Sequence, residues 1–196
     1  MTRFLLAAAF ALTLSTTALA QDEKRAGPVS LTVVAKTDTY KFDGGGKTAA
    51  EYKKNLEALA KELEVGERVT PPKALTVDLV LCLTNTSKED VTIYVGGNPN
   101  IYTFELTGGA GVVTMRNPIA FPAIFILPKA VTLAPGKSHE IPVKTLADGR
   151  RGLARLIFWT GPGEYKLVAK YTLSDEKGGK GLELISEPTK ITVTDK

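Results

Sequence analysis

Few stretches of this 196-residue chain place reactive residue types at a spacing that could do chemistry. The first is "KFDGGGKTAAEY", Lys41 to Tyr52. A phosphate-binding loop sits between a strand and a helix, where backbone N–H groups and the helix N-terminus surround an anion. Gly46-Lys47-Thr48 supplies the closing triplet of that pattern. The pattern also requires a glycine five residues before Gly46, and that position is Lys41. No apolar strand ending in Asp follows to hold magnesium. The stretch therefore reads as a glycine turn leading into a capped helix, and no nucleotide or other cofactor is expected.

Nucleophilic and metal chemistry are equally thin. Cys82 is the only cysteine and His139 the only histidine. A thiol nucleophile needs an adjacent base, and these two lie far apart in sequence. Cys82 is expected to be a buried small apolar residue, and His139 a surface residue after the "PGKS" turn. One His, one Cys and Met115 do not make a transition-metal site without further ligands. Glu89-Asp90 and Glu164 read as solvated carboxylates. Neither a catalytic set nor a metal site is expected, so the chain reads as non-enzymatic. Asn85-Thr86-Ser87 fits the N-glycosylation pattern, which would apply in a eukaryotic secretory pathway. It equally fits a turn former.

Recognition falls to the surface. "MRNPIAFPAIFILP", Met115 to Pro128, sets Arg116, Ile119, Phe121 and Phe125 in a proline-punctuated frame. It is either an edge strand with a buried apolar side or a partner-binding segment. In the second case Arg116 is the primary contact that a substrate-like protease inhibitor would offer.

The elements that must position these residues begin after the N-terminus. "MTRFLLAAAFALTLSTTALA" has a basic n-region, an apolar run from Phe4 to Leu14 and small residues up to Ala20. That is the design of a secretory signal, and the run is too short to span a bilayer. The expected organisation is a signal peptide over 1–20, a polar leader over 21–27 and one domain over 28–196. The mature protein would be exported to the periplasm or the medium after cleavage near Ala20, with no membrane span. The net charge of the whole chain is +4. Its basic pairs (Lys24-Arg25, Lys53-Lys54, Arg150-Arg151) are scattered, which excludes a concentrated nucleic-acid-binding face. A lone cysteine cannot form an internal disulfide, so a hydrophobic core must hold the domain.

"VSLTVVAKTDTYKF" reads as one extended strand. From Thr48 to Leu63 the period changes. Ala49, Tyr52, Leu56, Leu59 and Leu63 recur at helical spacing, and Thr48 with Glu51 forms a capping box. The predicted helix covers about 48–64. Short strands with regular turn signals fill the remainder and end on "LELISEPTKITVT". The fold class is all-β: an immunoglobulin-like antiparallel β-sandwich with one amphipathic helix inserted between the first and second strands. In "FWTGPGEYKLVAKY", Gly161-Pro162-Gly163 turns the chain after Trp159. Tyr165 then starts a strand whose inward face carries Leu167, Ala169 and Tyr171. Trp159, Gly163 and Tyr165 are thus a structural corner of the tyrosine-corner type, in which the hydroxyl bonds a nearby backbone group.

"VDLVLCLTNTSKEDVTIYVGG…YTFELTGGAG", "LAPGKSHEIPV" and "FWTGPGEYKLVAKYTL" together resemble a secreted bacterial immunoglobulin-like domain. In outline they are similar to the BsuPI-type proteinase-inhibitor domain over about Leu75 to Leu173. The resemblance implies a β-sandwich and, as an activity, protease inhibition. The inserted helix and the proline-rich middle depart from that pattern. The leading expectation is a monomeric, non-enzymatic exported module that binds a protein or an envelope component. The alternatives are a secreted protease inhibitor and a hydrolase whose site the sequence does not display.

Overall fold

The structure is a computed structural model, and it describes residues 27–67, 69–97, 101–116, 126–149 and 154–196. The signal segment and Ile119, Phe121 and Phe125 lie outside the described residues.

The chain is predominantly β and forms a sandwich. One sheet has three antiparallel strands: β1 (Val29–Ala35), β3 (Thr76–Asn85) at its centre and β8 (Ser138–Thr145). The largest sheet is organised around β11 (Gly163–Ser174). On one side of β11 lie β13 (Thr189–Asp195) and β12 (Lys180–Ile185), and β13 continues to β2 (Thr39–Phe42). On the other side lie β5 (Ile101–Gly108) and β4 (Val91–Val95), and β4 continues to β7 (Lys129–Leu133). A third, small sheet contains β6 (Val112–Arg116), β10 (Arg155–Trp159) and the two-residue β9 (Ala147–Asp148). α1 (Ala49–Glu64) is the one helix among the described residues.

Alternation along the strands builds the core. Leu79, Leu81 and Leu83 of β3 are fully buried, as are Tyr165, Leu167 and Ala169 of β11. They belong to a single cluster that fills the space between the two larger sheets. Successive strand side chains point to opposite faces, so Lys166 and Lys170 fall on the other side of β11.

The helix forms where its period predicts it. The Thr48 hydroxyl accepts from Glu51 N–H, and the Glu51 carboxylate accepts from Thr48 N–H at 2.9 Å. The Thr48 N–H and the Thr48 hydroxyl, both donating to the Glu51 carboxylate, hold that carboxyl below its ordinary pKa. The capping contribution is therefore present above the unfolded carboxyl pKa and is lost as pH falls through the folded one. Leu56 and Leu63 pack with Val113 and Met115 of β6 and with Leu156 and Phe158 of β10. The helix thus covers the face of the small sheet that points away from the main core.

Four expectations are corrected. "VSLTVVAKTDTYKF" is two strands in different sheets, β1 and β2. The chain bends because Lys36 and Thr37 N–H both donate to Asp78 O, and the Tyr40 hydroxyl donates back to Thr37 O. The helix consequently follows the second strand rather than the first. The sandwich is not wholly antiparallel, because β2 runs parallel to β13. "LELISEPTKITVT" is also two strands: Ser186 N–H donates to Ala169 O while the Ser186 hydroxyl accepts from Ala169 N–H, and Pro188 follows.

Asn85 is wholly buried. Its side-chain amide donates to Glu89 O and Leu133 O, each at 2.7 Å, and its oxygen accepts from Ser87 N–H and Ser87 Oγ. Every polar position of the side chain is used, so the folded chain presents no free amide for a glycan. Substituting Asn85→Ala should cost about 2–3 kcal/mol, because buried carbonyls lose their donors, and urea unfolding measures it. Leu56→Ala should cost about 2–4 kcal/mol through loss of burial and the cavity left behind. A helix that merely rested on the surface would show almost none of that loss.

Candidate functional site

The glycine stretches resolve into structure. Asp43 Oδ1 accepts from Gly45 N–H, and Asp43 Oδ2 receives Lys196 Nζ at 2.7 Å. The Lys196 ammonium is the main reason that the Asp43 carboxyl lies below its usual range. An anion in this loop would meet a carboxylate there, and the capping box already occupies donors at the start of the helix.

The other stretch is a crossing between sheets. Trp159 ends β10 in the small sheet, and Gly163 begins β11 in the large one. The buried Tyr165 hydroxyl donates to Gly161 O at 2.7 Å, four residues upstream. Burial of the ring raises the phenol pKa, and the backbone bonds partly offset that. The backbone of Gly163 has φ 141°, and a Cβ there would lie 2.7 Å from Gly109 Cα. A Cβ on Gly109 would lie 2.1 Å from Tyr165 Cζ. Trp159 is buried against Tyr40, with ring centroids 5.3 Å apart, and lies near Tyr165. The three corner residues come together as one packed unit.

Cys82 and His139 stand on adjacent strands but on opposite faces. β3 and β8 pair Leu83 with His139 and Cys82 with Glu140. Cys82 is half-buried on the outer face, contrary to the expectation of a buried residue. The reason is phase: Leu81 and Leu83 point into the core, so Cys82 points out. Partial burial, with the Glu140 charge adding to it, raises the thiol pKa, which disfavours the thiolate at neutral pH. His139 is not a turn residue. It lies within β8, half-buried, and lines a cleft. Arg116 is exposed at the end of β6.

Sequence reasoning passed over Asp148. Its side chain is fully buried, accepting from Phe104 N–H at 2.6 Å and from Arg155 Nε and Nη2 at 2.9 and 2.6 Å. The carboxylate stands where a neighbouring strand would bond the backbone of β5, and so joins the small sheet to the large one. A buried acid beside Arg155 looks catalytic in isolation, yet its bonds are all structural. Among the described residues no three His, Cys, Asp or Glu groups come together as metal ligands. No helix of the described residues is long and apolar enough to cross a membrane.

Among the described residues, two clefts open along the sides of the sandwich, each between an edge of the β1–β3–β8 sheet and an edge of the large one. The first, about 390 Å³, lies between β8 and the β4–β7 pair, with Val95, Val131, His139 and Ile141 in its wall. The second, about 460 Å³, lies between β1 and β12. Val29, Leu31 and Leu184 form its buried floor, while Leu182 stands exposed at its rim.

No family model and no curated protein matches the chain, and the BsuPI-type resemblance is not confirmed. Among solved structures it is similar to native alpha-2-macroglobulin from Escherichia coli, in the part running from domain MG7 to the C-terminus. The identity is 17%, with a TM-score of 0.28 over 63% of this chain. The chain corresponds to 15% of the length of that one. A likeness at this level bears on neither activity nor partners.

The corner makes a direct prediction. Tyr165→Phe should lower stability by about 1–2 kcal/mol, since Gly161 O loses its buried donor. Gly109→Ala should cost more, about 3 kcal/mol, because the added methyl collides with the Tyr165 ring. Denaturant midpoints of the two variants rank the effects, and the reverse order would show that the ring is free to move.

Proposed function

We propose that the protein is an exported, non-enzymatic binding module of immunoglobulin-like architecture that recognises a protein or an envelope component along the open sides of its sandwich. The observation that carries this reading is the pair of edge clefts, each apolar inside and flanked by strands that, among the described residues, have an edge without a strand partner. Edge strands of this kind recognise extended polypeptide by adding it to a sheet. The parallel β2–β13 pair and the sheet crossing locked by Tyr165 support the immunoglobulin-like description. The N-terminal segment supports export. The buried Asp148 carboxylate and its partner Arg155 are consumed in joining sheets.

A second reading, protease inhibition, is favoured by the exposure of Arg116 where β6 ends, as a trypsin-like enzyme would require of a primary contact. Under that reading Arg116→Ala abolishes inhibition of a trypsin-like enzyme, and absence of inhibition at micromolar wild-type protein removes it.

The leading reading is tested with residues 21–196 immobilised and panned against a displayed library of random peptides. Saturable binders with micromolar or tighter affinity are expected. A library that yields no saturable binder, together with an exported-protein fraction that leaves no specific partner on the same bait, would overturn it.

A further inference from the structure

We propose that the cleft between β8 and the β4–β7 pair is a small-molecule site, and that it takes a monocarboxylic acid with an apolar body. This goes beyond the binding-module reading above, because it assigns one side of the sandwich to a small ligand rather than to polypeptide.

Three observations carry it. The first is the direction of the side chains. Residues directly opposite each other in an antiparallel pair share a face. His139 stands opposite Leu83 and Ile141 opposite Leu81. Lys129 stands opposite Val95 and Val131 opposite Ile93. Those four partners are buried in the main core. His139, Ile141, Lys129 and Val131 therefore all lie on the inner faces of their sheets, and all four line the cleft. Glu140 and Pro142 line it too, but Glu140 stands opposite Cys82 on the outer face. Alternation turns both of those side chains away from the cleft.

The second is the wall. Val95 and Tyr171 are buried and belong to the main core. Tyr102, Val131 and Ile141 pack against that core and remain partly open to solvent. Tyr102 stands opposite Tyr171 in the β5–β11 register, so both rings share this face. The volume of about 390 Å³ falls near the lower end of the roughly 300–1,000 Å³ that holds small ligands. An added strand suits this side less, because Pro142 removes an N–H donor from β8 and Lys129 charges the start of β7.

The third is charge. Among the described lining residues, Lys129 and His139 are the nitrogen-bearing side chains directed inward, and no carboxylate is directed inward with them. Neither is held in an ion pair among the described residues. Lys129, exposed where β7 begins, supplies a positive charge. His139, half-buried in β8, supplies an imidazole N–H. A carboxylate accepts strong charge-assisted bonds from such donors. The hydrocarbon attached to it would cover Val131, Ile141 and Tyr102.

The test titrates residues 21–196 with octanoate and 4-phenylbutyrate, and with octanamide and octylamine as neutral and cationic controls, by calorimetry. Saturable binding of at least one acid at millimolar concentration or below is expected, at least fivefold tighter than octanamide, with none for octylamine. Lys129→Gln alters an exposed side chain, so folding should be retained and is checked by thermal melting. It should abolish the preference for acid over amide while leaving amide affinity within twofold, a change that a purely structural role would not produce. His139→Leu should reduce the same preference. Leu182→Arg, in the other cleft, should leave acid affinity within twofold. Absence of saturable binding by either acid would overturn the proposal, as would an amide that binds as well as its acid. Acid binding lost in Leu182→Arg but kept in Lys129→Gln would place the site elsewhere and overturn it. A peptide ending in a free leucine carboxylate that binds more tightly than either acid would overturn the small-molecule assignment. Acid binding without any library peptide would keep this site and count against the polypeptide reading above.

Discussion

A short strand that is apolar on both faces dictates much of this architecture. In β10 the four consecutive residues Leu156, Ile157, Phe158 and Trp159 are all buried. Ile157 and Trp159 enter the main core, while Leu156 and Phe158 point the opposite way. A sandwich strand normally shows water one face. Here the second face needs a cover, and each large side chain left exposed would forfeit about 1.5–3 kcal/mol. The helix supplies that cover through Leu56 and Leu63. The helical insertion is therefore the partner that allows β10 to be apolar throughout, and the capping box of Thr48 and Glu51 fixes where it begins.

The polar groups inside the fold follow the same logic of closure. Asn85 ties the end of β3 to the turn after it and to the end of β7. Asp148 bonds the backbone of β5 and the guanidinium of Arg155 together. Tyr165 bonds the turn it follows. Among the described residues no buried side-chain nitrogen or oxygen lacks a partner. Desolvated groups that are fully bonded hold sheets in register and are poorly placed to exchange protons with a substrate.

How far the sequence discloses this depends on the range of the signal. The helix was legible because a 3.6-residue period over sixteen residues is a local property, and Thr48–Glu51 is a local cap. The corner was legible because glycine, proline and tyrosine have distinct backbone and hydrogen-bonding demands at fixed offsets. The break between β1 and β2 was not, since Lys36-Thr37-Asp38 bends through bonds to Asp78, far away in sequence. Asp148 escaped notice for the same reason: β9 has two residues, too few for any period, and its partners come from β5 and β10. Cys82 was misjudged even though the signal was present. The alternation of Leu79, Leu81 and Leu83 already placed it on the outer face. In β10 the continuous run "LIFW" was itself the mark of burial on both faces, although alternation alone suggested one.

Edges decide what such a sandwich does with its surroundings, and the edges here are not equivalent. β2 has only four residues, β7 begins with a lysine, and β8 carries Pro142 on its exposed side. The backbone N–H of Phe104 in β5 is already engaged by Asp148. Each of these devices blunts pairing with another chain. β1 has seven residues without charge or proline, and the Thr189 hydroxyl engages Val33 O at its outer edge. Its neighbour across the groove, β12, adds the exposed Leu182 rather than a covering strand. An edge that long and that apolar is a hazard unless something fits it.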